Sequence, residues 1–443
     1  MSIPIQYLKH ANTAEGIVAA VERAVAEHAL SPGDRLPTVR ELADRQAISP
    51  STVAAAYRAL ATRGIVTGRG RQGTRISAGP ALPHRPPQVI PAGVRNLAAG
   101  NPDPALLPAL RPVLRRIEPV RVAYGDDEAD LPELCRLAIS QLRADDIPAE
   151  RVLTVSGALD GVERVLLAHL RPGDRVAVED PGYPRVFDLL AALGLVALPV
   201  ALDDFGMRPD ALAEALADGA VAVIVTPRAQ NPTGAALDAR RARALRTLLR
   251  DHPGVLTIED DHAGPIAGTP AFTLADASRT RWAVVRSVAK SLGPDLRVAM
   301  VTGDRTTLDR VEGRLRLGAG WVSHVLQSLV IDLWSTPKTA TQIERAQDTY
   351  EQRRGALVEA LAELGIASTA RSGLNVWVPV AAEDPVIAGL QARGWAVAGG
   401  ERFRLRTPPA IRITVASLSP EDATRLARDL AEVLTPPRAM TSA

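Results

Sequence analysis

The stretch "RSVAKSLGPDLR", residues 286–297, centres on a lysine, Lys290. Lysine is rare in this chain: it stands only at positions 9, 290 and 338, against 49 arginines. A position that needs only positive charge is therefore expected to carry arginine here. Lysine differs because its amine can lose a proton and attack a carbonyl carbon, whereas arginine stays protonated in proteins. The lysine at 290 predicts a reactive amine, and the surrounding sequence must indicate what it reacts with.

Short apolar runs on both sides of this stretch predict buried β-strands joined by crossover helices. The runs are "VLTVSG", "RVAVED", "VAVIVTP", "VLTIEDD", "RWAVVRS" and "VAMVTG". This alternation predicts an α/β fold with a mostly parallel sheet and helices on both faces. Sheets of that kind bind ligands at the carboxyl ends of their strands. The polar motifs of the chain stand at those ends.

Four of these motifs offer chemistry suited to a flat, phosphorylated ligand. "SGALDG" (156–161) is a turn whose amides and Ser156 suit a phosphate at a helix N-terminus. Tyr183 in "EDPGYP" can cover a ring, although an isolated aromatic is more often core packing. Asn231 in "RAQNPTG" can bond a ring hydroxyl. "IEDDHAG" (258–264) places two carboxylates beside His262, which also fits a charged surface turn or a metal site.

The composition indicates a globular protein of two or three domains. The 443 residues are 46% hydrophobic and 23% charged. The N-terminus has no signal-peptide pattern, and no apolar run reaches the roughly 18 residues of a membrane helix. The single cysteine, Cys135, excludes an internal disulfide, and its leucine-rich helical setting favours a core residue over a nucleophile. We therefore expect a cytoplasmic protein without a membrane partner.

Positive charge is concentrated near the N-terminus although the net charge is only +2. Residues 45–78 contain six arginines and no acidic residue, a pattern typical of polyanion binding. The following stretch, "PALPHRPPQVIP" (80–91), contains five prolines and predicts an extended linker. The predicted domains are therefore a head (1–78), a linker (79–95) and a body (96–443).

The head carries the pattern of a winged helix-turn-helix. Three segments predict helices, and the third, "ISPSTVAAAYRALATRG", has Ser49 as its cap and Val53, Tyr57 and Leu60 on its inner face. "IVTGRGRQGTRIS" predicts a two-stranded wing. This layout is typical of proteins that read double-stranded DNA. A small helical module that binds protein is the alternative.

The head closely resembles the winged helix-turn-helix domain of GntR-type regulators. The matching residues are "GDRLPTVRELA", "ISPSTVAAAYRAL", "RGIV" and "GRGRQGT". The resemblance implies a DNA operator as partner and contacts by Arg40, Ser49, Ser51, Thr52, Arg69 and Gly70. With Arg69, the neighbouring wing residue Arg71 is expected to enter the minor groove. Pro50 departs from the basic or polar residue of many relatives.

The ordered motifs of the body resemble fold-type I pyridoxal 5′-phosphate (PLP) enzymes of the class I aminotransferase group, over residues 96–435. The resemblance implies a PLP-dependent transferase-like fold in which Lys290 forms the internal aldimine (Schiff base) with PLP. Asp260 would face the pyridine nitrogen, Asn231 the phenolic oxygen, and Arg412 in "AIRITVASL" a substrate or effector carboxylate. The full set of cofactor-binding residues implied is Ser156, Gly157, Ala158, Tyr183, Asn231, Asp260, His262, Ser287 and Arg297, with Tyr124 reaching the partner subunit's phosphate. No metal is expected.

Three positions depart from that pattern. His262 stands where relatives usually place a tyrosine, Ala289 replaces the second serine of Ser-x-Ser-Lys, and Asp130 stands where a glycine is common. Because these changes can weaken cofactor binding or proton transfer, the sequence supports PLP binding better than steady turnover.

A GntR-like head joined to an aminotransferase-like body is the arrangement of the MocR subfamily of regulators. It implies a homodimer, with the subunits paired head to tail. The main hypothesis is a transcriptional regulator that senses PLP, an amino-acid-like amine effector, or both through aldimine chemistry at Lys290. The alternatives are an active or bifunctional class I aminotransferase, and a regulator whose body only dimerises and senses PLP itself.

Overall fold

The computed structural model describes residues 11–27, 29–62, 64–68, 73–77, 89–118 and 129–435. The chain divides into two compact units. The first takes in Met1–Pro87 with Leu170–Arg175 and Phe187–Ala197, and the second holds the remainder. The domain boundaries derived from the sequence stay predictions, since residues 78–88 lie outside the described part.

The head consists of three helices and a two-stranded antiparallel wing, as the sequence predicts. These elements are α1 (Ala14–Ala26), α2 (Val39–Gln46), α3 (Pro50–Thr62), β1 (Val66–Gly68) and β2 (Thr74–Ile76). Polar caps start the helices: Thr13 Oγ1 accepts the Gly16 N–H at 3.0 Å, and Thr38 forms a capping box with Glu41. Val53, Tyr57 and Leu60 are buried, so the predicted inner face of α3 is confirmed.

The body carries an eight-stranded sheet, preceded in the chain by a short strand, β3 (Arg95–Asn96). The strands of the sheet are β4 (Leu153–Val155), β5 (Arg175–Asp180), β6 (Val196–Asp203), β7 (Gly206–Met207), β8 (Ala220–Val225), β9 (Leu256–Asp261), β10 (Trp282–Ser287) and β11 (Ala299–Gly303). Their order across the sheet is β4-β11-β10-β9-β8-β5-β6-β7. All six predicted runs are strands of this sheet.

One connection differs from the prediction. Strand β9 pairs in parallel with β8 and β10, but β11 runs antiparallel to both β10 and β4. A parallel return needs a crossover of a dozen or more residues, usually with a helix. Residues 288–298 contain only a 3₁₀ turn, Pro294–Leu296, so the chain turns straight back. The prediction of a crossover helix is therefore wrong between β10 and β11, and Lys290 lies in the short connection that joins these two strands.

Helices cover both faces of the sheet, as predicted. The body helices are α4 (Leu110–Leu114), α5 (Pro132–Ala144), α6 (Ala158–His169), α7 (Pro184–Ala192), α8 (Pro209–Ala217), α9 (Ala239–Arg250), α10 (Arg305–Leu317), α11 (His324–Ser335), α12 (Pro337–Glu363), α13 (Glu383–Ala392) and α14 (Pro420–Leu434). Val284 of β10 packs in a core with residues of α5 and α11. Its neighbour Val285 faces α6, where a Cβ on Gly161 would lie 2.8 Å from Val285 Cγ1. None of the helices in the described ranges is long and apolar enough to cross a membrane.

A second, smaller sheet follows, which the sequence analysis does not anticipate. It has the antiparallel order β12 (Asn375–Pro379), β15 (Ala410–Thr414), β14 (Ala398–Gly399). Beside it, β13 (Trp395–Ala396) pairs in parallel with β3. Leucines of α12, α13 and α14 pack with Trp395 in one core. This packing holds Arg412 on the central strand, opposite Trp377 and Ala398.

Candidate functional site

A cavity of about 570 Å³ lies where β8, β9 and β10 end, a volume typical of small-molecule sites. It brings together most of the site residues that the sequence predicts. The lining residues from that set are Ala158, Tyr183, Asn231, Asp260, His262, Ser287, Lys290, Arg297 and Arg412. Ser156 and Gly157 adjoin the cavity through Arg297. Tyr124 lies outside the described residues.

Lys290 presents its amine inside this cavity. Its Nζ donates a hydrogen bond to the Gly100 carbonyl oxygen at 2.6 Å. Burial, and then the positive charge of Arg412, lowers the pKa of Lys290 to about 8. At pH 7, an amine with a pKa of about 8 is uncharged in about a tenth of the molecules, far more than an ordinary lysine. The site therefore holds a lysine in a state suited to nucleophilic attack.

Asp260 is a buried carboxylate, and one of its oxygens lacks a hydrogen-bond partner. Its side chain is at the end of β9, the residue is 6% exposed, and Oδ1 is buried without a hydrogen bond. Burial, together with the negative charges of Asp261 and Glu179, raises the pKa of Asp260 to about 7. A buried polar atom without a partner is costly, so it marks the place of a ligand group. A protonated ring nitrogen would satisfy it.

The next residue, Asp261, serves a different purpose. Its carboxylate pairs with Arg228 at 2.9 Å and with Arg286 at 2.7 Å, and both arginines also pair with Asp145. Burial opposes ionisation, but the two arginines overcome it and hold the pKa of Asp261 far below its ordinary value. This buried network fixes the end of β9 directly beside Asp260.

Arg297 closes the cavity at the start of α6. Its Nη2 donates to the Ser156 carbonyl oxygen at 3.1 Å. A Cβ on Gly157 would lie 2.4 Å from the same nitrogen, so a larger residue there would displace the guanidinium, and the φ of +98° favours glycine. Arg297 itself has a left-handed φ of 48°, an uncommon conformation that often occurs at binding sites. A guanidinium at a helix N-terminus is a site for phosphate.

Arg412 and Asn231 meet on the other side of the cavity. Arg412 Nη1 donates to Asn231 Oδ1 at 3.0 Å, and its Nη2 bonds the Ala98 carbonyl oxygen. The residue is 3% exposed, and its guanidinium carbon lies 4.7 Å from the centroid of the Phe403 ring. Burial, and then the charge of Arg402, lowers the pKa of Arg412 to about 9. Its Nε is buried without a hydrogen bond, so the group retains capacity for an anion.

Three further lining residues complete the predicted set. Burial, followed by the charge of Lys290, lowers the pKa of His262 to about 4, so its imidazole is neutral at physiological pH. Tyr183 is 37% exposed at the cavity mouth. Ser287 Oγ accepts the Ala289 N–H at 3.1 Å. Within the described ranges, no group of three or more His, Cys, Asp or Glu side chains is arranged to hold a metal ion.

Sequence reasoning missed several residues of the cavity wall, and two places show why. One is Gly100, which accepts the Lys290 hydrogen bond and has a left-handed φ of +68°. The stretch "AAGNPDP" contains the glycine and prolines of a specialised turn, which is the signal that was available. The other is the pair Arg402 and Phe403 in "ERFRLR", for which no motif offers a signal.

The head places its predicted DNA-contacting residues at one end of α3 and on α2. Ser49 Oγ accepts the Thr52 N–H at 3.1 Å and lies 2.7 Å from Ser51 Oγ. Arg40, Ser49 and Ser51 are exposed, and Thr52 is half-buried. Tyr57 fixes the helix from its inner face by donating to the Pro37 carbonyl oxygen at 2.8 Å. Arg69, Gly70 and Arg71 lie outside the described residues.

Comparison with known families covers both parts of the chain. Residues 94–430 match the family described as aminotransferase class I and II, and residues 13–76 match the bacterial regulatory proteins of the gntR family. The first match alone spans more than half of the chain.

Two curated regulators resemble the chain over most of its length. It is 39% identical to the vitamin B6 salvage pathway transcriptional repressor PtsJ of Salmonella typhimurium, over 95% of this chain and 98% of that protein. It is 27% identical to the HTH-type pyridoxine biosynthesis transcriptional regulator PdxR of Corynebacterium glutamicum, over 78% of each chain.

Solved structures resemble the body in fold. The kynurenine aminotransferase of Pyrococcus horikoshii has a TM-score of 0.71 at 21% identity, covering 77% of this chain and 91% of that one. An archaeal alanine:glyoxylate aminotransferase has a TM-score of 0.70 at 22% identity, covering 77% and 90%. The chain therefore belongs to the GntR family of DNA-binding transcriptional regulators, in the MocR subfamily that joins a winged helix to an aminotransferase class I and II domain.

Proposed function

We propose that this regulator binds its operator as a homodimer, and that PLP and a small amine effector in the cavity set its affinity for that DNA. One observation carries the proposal: the amine of Lys290 and the unpartnered oxygen of Asp260 share one cavity in a chain that also carries a winged helix. In this proposal the cavity binds the ligands and the winged helix of the head binds the operator.

The residues of the cavity fit PLP, on which aminotransferases of class I and II depend. Asp260 Oδ1 lacks a hydrogen-bond partner and would receive the protonated pyridine nitrogen. Asn231 would bond the phenolic oxygen. Arg297 stands at the N-terminus of α6 and would hold the phosphate, with Ser287, Ser156, Gly157 and Ala158 around it. Tyr183 and His262 line the space left for the ring.

When bound, PLP supplies an aldehyde carbon that combines reversibly with primary amines. Lys290 would offer its amine to that carbon, and its lowered pKa keeps part of that amine uncharged. Arg412, buried and with a free Nε, would bind the carboxylate of an effector. An effector then influences DNA binding only if it binds two conformations of the protein with different affinity.

The output requires two heads, because a pair of winged helices reads two half-sites. Aminotransferase-like folds are typically dimeric, and we propose a homodimer with its subunits paired head to tail. Tyr124 would reach the partner subunit's phosphate. Arg40, Ser49, Ser51 and Thr52 would contact the operator, with Arg69, Gly70 and Arg71 in the wing. We place this protein in the cytoplasm, where the operator DNA lies.

The names of the two regulators described above support a link to vitamin B6. One is called a repressor of the vitamin B6 salvage pathway and the other a regulator of pyridoxine biosynthesis. PLP would then be a signal as well as a cofactor. We propose that this chain likewise adjusts transcription to the supply of vitamin B6.

The proposal can be tested with operator DNA selected from a random-sequence pool. Fluorescence anisotropy would give the affinity of PLP-loaded and PLP-free protein for that DNA. We expect PLP to change the affinity of the wild type by about 5-fold or more, the lower range of allosteric coupling. K290A should lose the change, whereas K338A, which removes an exposed lysine elsewhere, should keep it. Equal affinity of loaded and PLP-free wild type contradicts the proposal.

A working aminotransferase is the second candidate function, because the cavity holds the lysine amine, Asp260 and Arg412 together. Steady conversion of an amino acid and a keto acid by the loaded protein would support it. A spectrum that responds to amino acids without steady conversion would leave regulation as the function.

A further inference from the structure

The outer face of α3 carries a residue that the predicted DNA contacts do not include. Among the 13 residues from Pro50 to Thr62, only Arg58 is charged. Its side chain is exposed, and no hydrogen bond or ion pair joins it to any residue that the structure describes. The surrounding stretch, residues 45–78, contains no acidic residue that could pair with it. Arg58 is therefore a cation available to a ligand that approaches α3 from solvent.

Helical geometry places Arg58 on the same line of α3 as a predicted DNA contact. The buried side of the helix consists of Val53, Tyr57 and Leu60. With 3.6 residues per turn, a residue seven positions after Ser51 lies roughly 20° from it around the axis and about 10 Å along it. Ser51 and Arg58 are both exposed, so the two point away from the core of the head.

Small side chains occupy the helix surface between these two residues. Ala54 and Ala55 follow Ser51 by three and four positions and are half-buried. Positions separated in this way, by three, four and seven residues, are those with which the recognition helix of a homeodomain reads base edges. Alanine side chains allow a helix to approach the bases closely and can contact the methyl group of thymine. Ser51, Ala54, Ala55 and Arg58 therefore form one strip suited to the floor of a major groove.

The position of Arg58 on this strip favours a base over a phosphate. Phosphates line the two sides of the groove, and in a helix-turn-helix the preceding helix, here α2 with Arg40, crosses them. The strip opposite the buried side of α3 instead faces the base pairs when the helix lies in the groove. The planar fork of arginine bonds O6 and N7 of guanine together, which is the commonest specific contact in the major groove.

We propose that Arg58 reads a guanine in each half-site of the operator and so helps to set the sequence preference of the head. This inference rests on the proposed function, because it takes α3 as the helix that enters the major groove of the operator.

The test compares the DNA sequences that the wild type and its variants select. Full-length, PLP-loaded proteins are incubated with a random-sequence DNA pool, and the bound DNA is sequenced. We expect R58A to lose a preference of about tenfold or more for guanine at one position of each half-site, and to keep the other preferences. R58K keeps the charge without the fork, so it should lose most of the same preference. R23A removes an exposed arginine of α1, outside the helix-turn-helix pair, and should keep every preference.

A guanine preference that survives unchanged in R58A overturns the inference. A loss of affinity that is equal for all sequences, with a smaller salt dependence of log K, also overturns it, because that result indicates a phosphate contact. Thermal melting followed by circular dichroism shows whether R58A is folded. If it is not, R58Q takes its place with the same expected loss.

Anisotropy titrations of the selected DNA, with and without PLP, separate the two proposals. A wild-type affinity that does not respond to PLP, together with a guanine preference that R58A loses, refutes control by PLP alone. A response to PLP, together with a guanine preference that R58A keeps, refutes the role of Arg58 alone.

Discussion

Replacing Asp260 with asparagine should stabilise the PLP-free protein, although the residue lies at the centre of the proposed site. The Asp260 carboxylate is buried, its Oδ1 has no hydrogen bond, and its pKa is raised from 3.8 to about 7. An acid with a raised pKa in the folded state binds its proton more tightly there than in the unfolded chain. Stability is therefore greatest at low pH and falls as the pH rises from 3.8 through about 7.

The size of this effect follows from the pKa values. One pKa unit corresponds to about 1.4 kcal/mol, so the rise from 3.8 to about 7 corresponds to about 4 kcal/mol above pH 7. Asparagine cannot ionise, so D260N escapes this cost. We expect D260N to exceed the wild type in free energy of unfolding by little at pH 4 and by about 4 kcal/mol at pH 8.5.

Urea denaturation of the PLP-free proteins, followed by tryptophan fluorescence, measures this difference. All five tryptophans lie between residues 282 and 395, so the signal reports on the body. Burial also raises the pKa values of Glu179 and Glu259 to about 7, so the difference between variants, and not the wild-type curve, isolates Asp260. D261N is the matched control: it leaves Arg228 and Arg286 without their buried counter-charge and should cost about 3–5 kcal/mol. A D260N protein no more stable than wild type at pH 8.5, or equally stabilised at pH 4, refutes the reasoning.

Three other outcomes are expected. Because burial and Arg412 lower the pKa of Lys290 to about 8, the rate at which PLP attaches to the PLP-free protein should rise with pH and level off above about pH 8. Stopped-flow absorbance measures this rate, and a rate that continues to rise toward pH 10 contradicts the lowered pKa of Lys290. G157A should reduce PLP affinity by about tenfold or more in an equilibrium titration, because its Cβ would lie 2.4 Å from Arg297 Nη2 and displace it. G365A, at a glycine with a similar left-handed φ of +71° and nothing within 4 Å, should not. R40A should weaken operator binding and lower the salt dependence of log K by about one phosphate contact, whereas R305A, on the body, should leave both unchanged in anisotropy titrations at several salt concentrations.

The strands and helix starts were predictable from the sequence because the forces that form them are local. Six apolar runs became six strands, and the cap at Ser49 starts the helix at which the sequence places it. Lys290 was also recognisable, since a rare residue type stood at the end of a strand in an ordered set of motifs. The mostly parallel sheet was predicted correctly, but the sequence indicated no direction for β11 itself, because a strand pattern contains no information about which neighbour it pairs with.

The carboxylates of β9 illustrate a different limit. Alternation along a strand places Glu259, Asp260 and Asp261 on alternating sides. It does not say which side meets the cavity. Only the packed structure shows that Glu259 accepts a hydrogen bond from the Thr273 hydroxyl at 2.9 Å. Only it shows that Asp261 forms ion pairs with Arg228 and Arg286. Asp260 Oδ1 is left without a hydrogen-bond partner.

By itself, the sequence determined the kind of protein: a winged helix, an α/β body and a reactive lysine between two strands. The tertiary structure decided the electrostatics of the site. Lys290, Asp260 and Arg412 are far apart in the chain, and their pKa values depend on burial and on charges that only folding brings near. Arg402 lines the cavity, and the amides of Leu405 and Arg406 in the same segment donate to Asp180, more than 200 residues earlier in the chain. Contacts of that range follow from the packing of whole elements, which no local pattern of residues specifies.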